Sequence, residues 1–451
     1  MSRGRVLLFL FGVIALLAVL CAVYPSRGIL GLRFPALSEV LTGEVERGPS
    51  PEELLEQRRQ AVLAAERKEY LGFFESDPAR FYLPGNDPAF FDSLFVALDS
   101  AEREPLRIIH YGDSQIEEDR ITGTIRSRLQ ARFGGSGPGM MPAREHATRQ
   151  VGGGTSPELQ RFFIFGDPSY RAGIRQYGPY ADFVRLDTTA VLSFYPIRTR
   201  DSDTIWFDRV TLVAGNLKSD LRIRSRADTL TVKPGRPLVL ARFAVPDSSQ
   251  RASLTVSGYA DLYGVLLDSD TGVRMDNVAM RGSGGTFFTA MDAAQLREFY
   301  AQENVRLILL QYGGNSLPMF RTDQSVSDNL EATRRQIRYQ QSLAPRAKII
   351  FIGPSDMSTT VGGRRQTYPR LPAFVDSLKV SATQCGAAYW DIFGAMGGAE
   401  SMQAWVDAKP ALAGPDYIHF TLAGARRIGE MFSDSFFLYY DYYRWRKEHL
   451  K

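Results

Sequence analysis

The chain has 451 residues, 44% of them hydrophobic and 23% charged, with a formal net charge of +4. That length exceeds one ordinary core and points to a main domain with additions. The small charge and scattered basic residues leave no footprint for nucleic acid, and two cysteines with four histidines exclude a zinc site built from several such ligands.

Residues 1–25 read as a membrane anchor or signal. Arg3 and Arg5 precede nineteen uncharged, mostly apolar residues over 6–24, and a bilayer needs about 20 at helical rise. The two arginines predict a cytoplasmic N-terminus, with the body of the chain exported. No small-x-small cleavage pattern follows, and Leu20 before Cys21 does not suit lipoprotein cleavage, so an uncleaved inner-membrane anchor is expected. Cys21 lies in this segment, which argues against a disulfide with Cys385.

Residues 26–86 read as a tether and a helix. Pro, Gly and Ser mark 25–50 as the tether, and 51–68 form a charged helix whose sparse apolar side is Leu54, Leu55, Val62 and Leu63. Residues 87–184 open an α/β domain: a helix over 87–101, the strand L-R-I-I-H-Y, and a helix over 119–133 with Ile121, Ile125, Leu129 and Phe133 on one face. Gly134 and Gly135 end that helix. Residues 134–184, rich in Gly, Pro and aromatics, carry no assignable element.

Over 185–266 helical periodicity is absent. Short β-rich runs alternate with Gly, Pro, Asp and Ser, which predicts an inserted β-sandwich. Trp206, Phe207 and Tyr259 in this insert are either sugar-stacking rings or, as aromatics at strand spacing more often are, core. Residues 267–451 resume the alternation. Strands are expected at 305–312, 347–353 and 387–393, helices near 326–343 and 369–384, and a last helix with Leu422, Ile428 and Met431 facing inward and Y-Y-D-Y-Y-R-W-R-K as its end. Apolar strands alternating with helices make a parallel sheet covered on both faces.

Ser114 stands on a tight corner between the strand ending H-Y-G-D and the helix that follows. A serine nucleophile needs a base, a group that orients the base, and donors for an oxyanion. Of the four histidines, His110 lies on the entering strand and His449 in the basic tail. His146 sits in the unassigned Gly-rich stretch and stays open as a candidate. His419 follows Asp416 by three residues in P-D-Y-I-H-F-T, a spacing that lets the carboxylate fold back onto the ring, although Asp416 is equally placed to cap the helix. Asn315 in G-G-N-S ends the strand at 305–312, and Gly282 in R-G-S-G-G follows the strand near V-R-M-D-N-V-A-M. Both lie where ligands collect in open α/β sheets.

G-D-S (112–114), Gly282, G-x-N (313–315) and D-x-x-H (416–419), in that order, resemble the four blocks of the SGNH/GDSL hydrolase family. The resemblance implies a flavodoxin-like three-layer α/β/α fold. It further implies Ser114 as nucleophile, His419 as base, Asp416 as its orienter, and an oxyanion hole from Ser114, Gly282 and Asn315. Gln115 departs from the leucine of the family motif and Ser316 from a frequent Asp. Gly152–Gly154 and Gly284–Gly285 compete with Gly282 for the glycine role. The longer H-Y-G-D-S-Q and the inserted β-domain are similar to exported bacterial members acting on acetylated glycans, peptidoglycan O-acetylesterases among them. The expected activity is therefore ester hydrolysis, needing no metal or cofactor, on an acylated glycan in the periplasm or cell envelope. The alternatives are an O-acetyltransferase supplied by a membrane-bound acyltransferase, and a glycan-binding protein with a vestigial triad.

Overall fold

The computed structural model describes residues 3–24, 36–42, 50–144, 146–147, 150–197, 205–245 and 251–450. It divides into two units, residues 1–69 and 70–451.

In the first unit, helix Arg3–Val23 is long and apolar enough to cross a membrane. Of the expected tether, residues 25–35 and 43–49 lie outside the described residues, and Leu37–Thr42 form a short helix. Helix Pro51–Ser76 extends beyond the expected 51–68. Ser50 and Glu53 exchange side-chain and backbone bonds at its start, a reciprocal cap. Leu54, Leu55 and Val62 are exposed along it.

The second unit is built on a six-stranded sheet whose strands, numbered in chain order, are β1 (Phe81–Tyr82), β2 (Leu106–Gly112), β3 (Val273–Ala279), β4 (Val305–Gln311), β5 (Lys348–Ile352) and β6 (Ala388–Trp390). Their spatial order is β1-β6-β5-β4-β2-β3; β1 pairs antiparallel and the rest are parallel. The five parallel strands follow the flavodoxin-like order, in which the chain reverses direction across the sheet beside the first strand. Here that reversal falls between β2 and β4. Every residue of β2 is buried, as expected of a central strand covered on both faces.

Between β2 and β3 the chain builds two antiparallel sheets. One runs Thr229–Val232, Leu221–Arg224, Ala252–Ser257, Thr189–Pro196, Val151–Ser156, His146–Ala147. The other runs Val239–Ala244, Arg209–Gly215, Ala260–Asp268, Asp182–Leu186, Gln160–Phe163, with Gly139–Met141 added beside Ala260–Asp268. Leu192, Phe194, Leu212, Ile223, Leu254 and Leu262 fill the space between them, which makes a sandwich. The antiparallel region thus begins near 139, taking in much of the stretch without sequence assignment. The second sheet is buried on its other face too: Phe183, Val213, Tyr263 and Leu266 pack with Ile109, Tyr111 and Val278 of the α/β body. Within the insert Phe207 is core, while Trp206 is half exposed.

An ion cluster with a fully buried centre ties the two parts together. Arg107 on β2 pairs with Asp268 from the sandwich, Asp276 on β3 and Glu303 after the following helix; Glu303 in turn takes Arg242 of the sandwich at 2.7 Å and Arg274 at 3.5 Å. Burial opposes the charge on Arg107, but its three carboxylates outweigh that and hold it protonated.

His110, also on β2, is fully buried. Asn277 Nδ2 donates to Thr122 Oγ1 at 2.7 Å, so the Thr122 hydroxyl hydrogen goes to His110 Nδ1 (2.9 Å) and the ring's Nε2–H to Gln311 (3.0 Å). Burial pushes this histidine down to about 3, with the Gln311 bond opposing and the charge on Arg126 assisting. The unfolded ring titrates near 6.5. Between those values the unfolded state binds more protons, so stability falls as pH falls through the window. The urea midpoint of wild type is expected to lose more between pH 6.5 and pH 3 than that of His110→Gln; parallel curves would remove His110 as the source.

The final helix, Leu422–His449, lies against helix Thr122–Phe133. Its buried stripe is Ala425, Ile428, Phe432, Phe436 and Tyr439, whereas Leu422 is exposed and Met431 half-buried. The inward face therefore begins one turn later than expected. Tyr439 stacks on Phe74 with ring centroids 4.1 Å apart.

Candidate active site

The site forms where the sheet order reverses, at the carboxyl ends of β2 and β4. Gly112 is the last residue of β2, and a Cβ there would meet the end of the Ile116 side chain at 2.8 Å. Asp113 stays extended, and its Oδ1 accepts from the Gln115 N–H (3.0 Å), capping the short 3-10 turn that carries Ser114. At the end of β4, Gly313 adopts φ 124°, a left-handed geometry favouring glycine, and the next turn presents Asn315.

Ser114 Oγ lies 2.8 Å from His419 Nε2, and His419 Nδ1 lies 2.7 Å from Asp416 Oδ2. Asp416 Oδ1 also accepts the backbone N–H groups of Ile418 and His419, each at 3.1 Å. Burial would raise the Asp416 pKa, but these bonds and the histidine outweigh it and hold the carboxyl below its ordinary range. A hydroxyl on one ring nitrogen and a carboxylate on the other is the arrangement that activates a nucleophile.

Asn315 Nδ2 donates to Asp113 Oδ2 and to the Ser283 carbonyl, both at 3.1 Å. Burial pushes Asp113 up to about 6, against bonds from Gln115 and Asn315 and the neighbouring His419. Ser114, Asn315 and His419 line an open pocket of about 170 Å³, walled by Tyr312, Met357 and Tyr368 among others. Gly282 follows β3 at φ 81° and is not among the lining residues. Gly152–Gly154 belong to a sandwich strand. Gly284 lies in the Gly282 loop, with Ser316 Oγ at 3.3 Å from where its Cβ would stand.

Of the other histidines, His110 is sealed in the core, His146 lies in an edge strand of the sandwich, and His449 packs beside Trp445 in the last turn of the final helix. Sequence reasoning had no signal for Arg120, which donates to the Ser114 carbonyl (2.6 Å) and the Phe420 carbonyl (3.2 Å). Among the described residues, no three metal-ligating side chains gather into a cluster.

The sequence matches the GDSL-like Lipase/Acylhydrolase family over residues 247–427, a segment that contains Gly282, Asn315, Asp416 and His419. Ser114 lies before it, on the far side of the insert. No curated protein matches the chain. Among solved structures, a peptidoglycan O-acetylesterase superposes with TM-score 0.64 at 21% identity, covering 81% of this chain and 98% of its own. A family two carbohydrate esterase from Cellvibrio japonicus gives 0.27 at 10% identity, covering 65% and 98%. A protein from Bacillus subtilis gives 0.29 at 14%, covering 65% and 92%. The shared fold rests on the first of these. Residues 247–427 therefore match a GDSL-like lipase/acylhydrolase family model within a chain of the SGNH hydrolase fold, and the class this supports is that of ester-hydrolysing enzymes.

Proposed function

We propose that the protein is a serine-dependent O-acetylesterase acting on a cell-envelope glycan, with Ser114 as nucleophile, His419 as base and Asp416 as its orienter. The observation that carries this is the unbroken hydrogen-bond chain Ser114–His419–Asp416 at the pocket where β2 and β4 end. In the reaction, His419 Nε2 takes the Ser114 proton as Oγ attacks the ester carbonyl. Asp416 holds the Nδ1 proton and stabilises the imidazolium. His419 then protonates the departing sugar oxygen, and water releases the acid. The Ser114 N–H and the Asn315 amide are the proposed oxyanion donors, the latter drawing one hydrogen away from Asp113 or Ser283. A pocket of about 170 Å³ suits a small acyl group. The fold's likeness to a peptidoglycan O-acetylesterase supports the glycan class, and the N-terminal helix supports a body held at a membrane on the exported side.

The test uses the full-length chain in detergent on O-acetylated peptidoglycan and on p-nitrophenyl acetate, with de-acetylated glycan as a competing acceptor. Acetate release that depends on Ser114 supports the reading. Transfer to the added glycan would make the acceptor a sugar and the protein an acetyltransferase. Glycan binding with no ester cleavage would leave function in the sandwich. Asn315→Ala is expected to lower kcat by about 10²–10³-fold while KM changes little. An unchanged kcat would take Asn315 out of the oxyanion hole.

A further inference from the structure

Gln115 stands where the family motif carries leucine, and its side-chain amide is spent on the backbone around the base. Nε2 donates to the Ile418 carbonyl at 2.7 Å, with Ser355 Oγ further off at 3.5 Å, and Oε1 accepts from the Phe420 N–H at 3.3 Å, while the side chain also lines the pocket. Ile418 and Phe420 flank His419. Arg120, from the same turn, joins the Ser114 carbonyl to the Phe420 carbonyl and anchors its Nε on the Glu117 carbonyl at 2.9 Å. The segment they grip is at the surface: the side chains of Asp416 and His419 are 47% and 36% exposed. Its other backbone ties include Gly414 N–H to the His419 carbonyl (2.8 Å) and Ser358 N–H to the Tyr417 carbonyl (3.1 Å).

We infer that Gln115, supported by Arg120, is a positioning residue that sets the separation between Ser114 and His419. The inference rests on the serine-hydrolase reading of the site. Along the chain these residues are 305 apart, and through the fold the path runs across the sheet and the root of the final helix, accumulating small displacements. Through Gln115 the path is one side chain long, from the residue next to the nucleophile to the residues on either side of the base. A leucine at 115 fills the same space and makes neither bond. Because a misplacement of about 1 Å between reacting groups can cost about 10²-fold in rate, such a bracket acts on kcat rather than on substrate binding.

The test compares full-length wild type, Gln115→Met, Gln115→Glu and Ser114→Ala in detergent on p-nitrophenyl acetate. Gln115→Met keeps the length and loses both bonds. It is expected to lower kcat about 10–100-fold, with KM unchanged to within about twofold. Gln115→Glu keeps the acceptor for the Phe420 N–H and regains a donor for the Ile418 carbonyl only when protonated. Its activity relative to Gln115→Met is therefore expected to rise as pH falls. An unaltered kcat in Gln115→Met overturns the bracket. So does a raised KM with kcat intact, which would make Gln115 a substrate contact, or a Glu/Met ratio flat in pH. If Ser114→Ala retains wild-type activity, it is the serine reading that fails. If Ser114→Ala is inert and Gln115→Met is normal, the bracket alone fails.

Discussion

Ser114→Ala is expected to lower ester hydrolysis by about 10⁴–10⁶-fold, the scale on which loss of a serine nucleophile acts in triad enzymes. The change removes one oxygen and leaves the Asp416–His419 pair, the Asn315 amide and the pocket in place. Residual turnover would come from water held by the remaining groups. Folding should be untouched, because Ser114 Oγ serves one hydrogen bond to His419 at the mouth of a pocket. Acetate release and the thermal midpoint read the two effects separately. Wild-type protein quenched during turnover should carry an acetyl group on the peptide containing Ser114, and the variant should not. Activity within about tenfold of wild type, a loss far smaller than that range, would remove Ser114 from the mechanism.

Arg107→Met is expected to cost about 3–5 kcal/mol of stability, because it strips the shared cation from a buried site and leaves Asp268 and Asp276 without their arginine, while Glu303 keeps Arg242 and Arg274. Burial already pushes Asp276 up to about 6, with Arg107 opposing that shift. Without the arginine, Asp276 is expected to take up a proton on folding, so the variant should recover stability as pH falls toward 5. Adding Asp276→Asn to Arg107→Met should restore part of the loss by lowering the trapped negative charge. Urea unfolding at several pH values measures all three. A loss below about 1 kcal/mol, typical of an exposed pair, would show that water reaches the cluster.

The strand-and-helix alternation was legible because parallel strands buried on both faces are written as unbroken apolar runs such as L-R-I-I-H-Y and V-R-L-I-L-L-Q-Y. The residues brought to the pocket were legible for another reason: four histidines leave few candidates, and His419 carries a carboxylate three residues before it. Residues 134–144 were not legible because their glycines answer to distant backbone. A Cβ on Gly135, Gly137 or Gly139 would stand 2.2–2.4 Å from the carbonyls of Val273, Leu267 and Met275. Glycine there permits a strand to lie against a neighbour that the local sequence does not mention, so the run looked like loop. The role of Gln115 was hidden in the same way, since its partners are some 300 residues away. Leu422 misled because one apolar residue at a helix start carries no information about which face turns inward.

Strand β2 has consequences for how the molecule comes into being. Both of its neighbours, β3 and β4, are supplied more than 150 residues later. A nascent chain ending before residue 273 holds a seven-residue apolar ribbon with two unpaired edges, the kind of segment prone to adhere to other chains. The sandwich, complete by residue 268 apart from its ion pair to Glu303, can close first. Strand β1 waits longer still, for β6 at 388–390. Assembly of the sheet is thus governed by the residues from 273 onward, the last two-fifths of the sequence. Chains stalled or truncated before it should depend on holding factors, however well their sandwich folds.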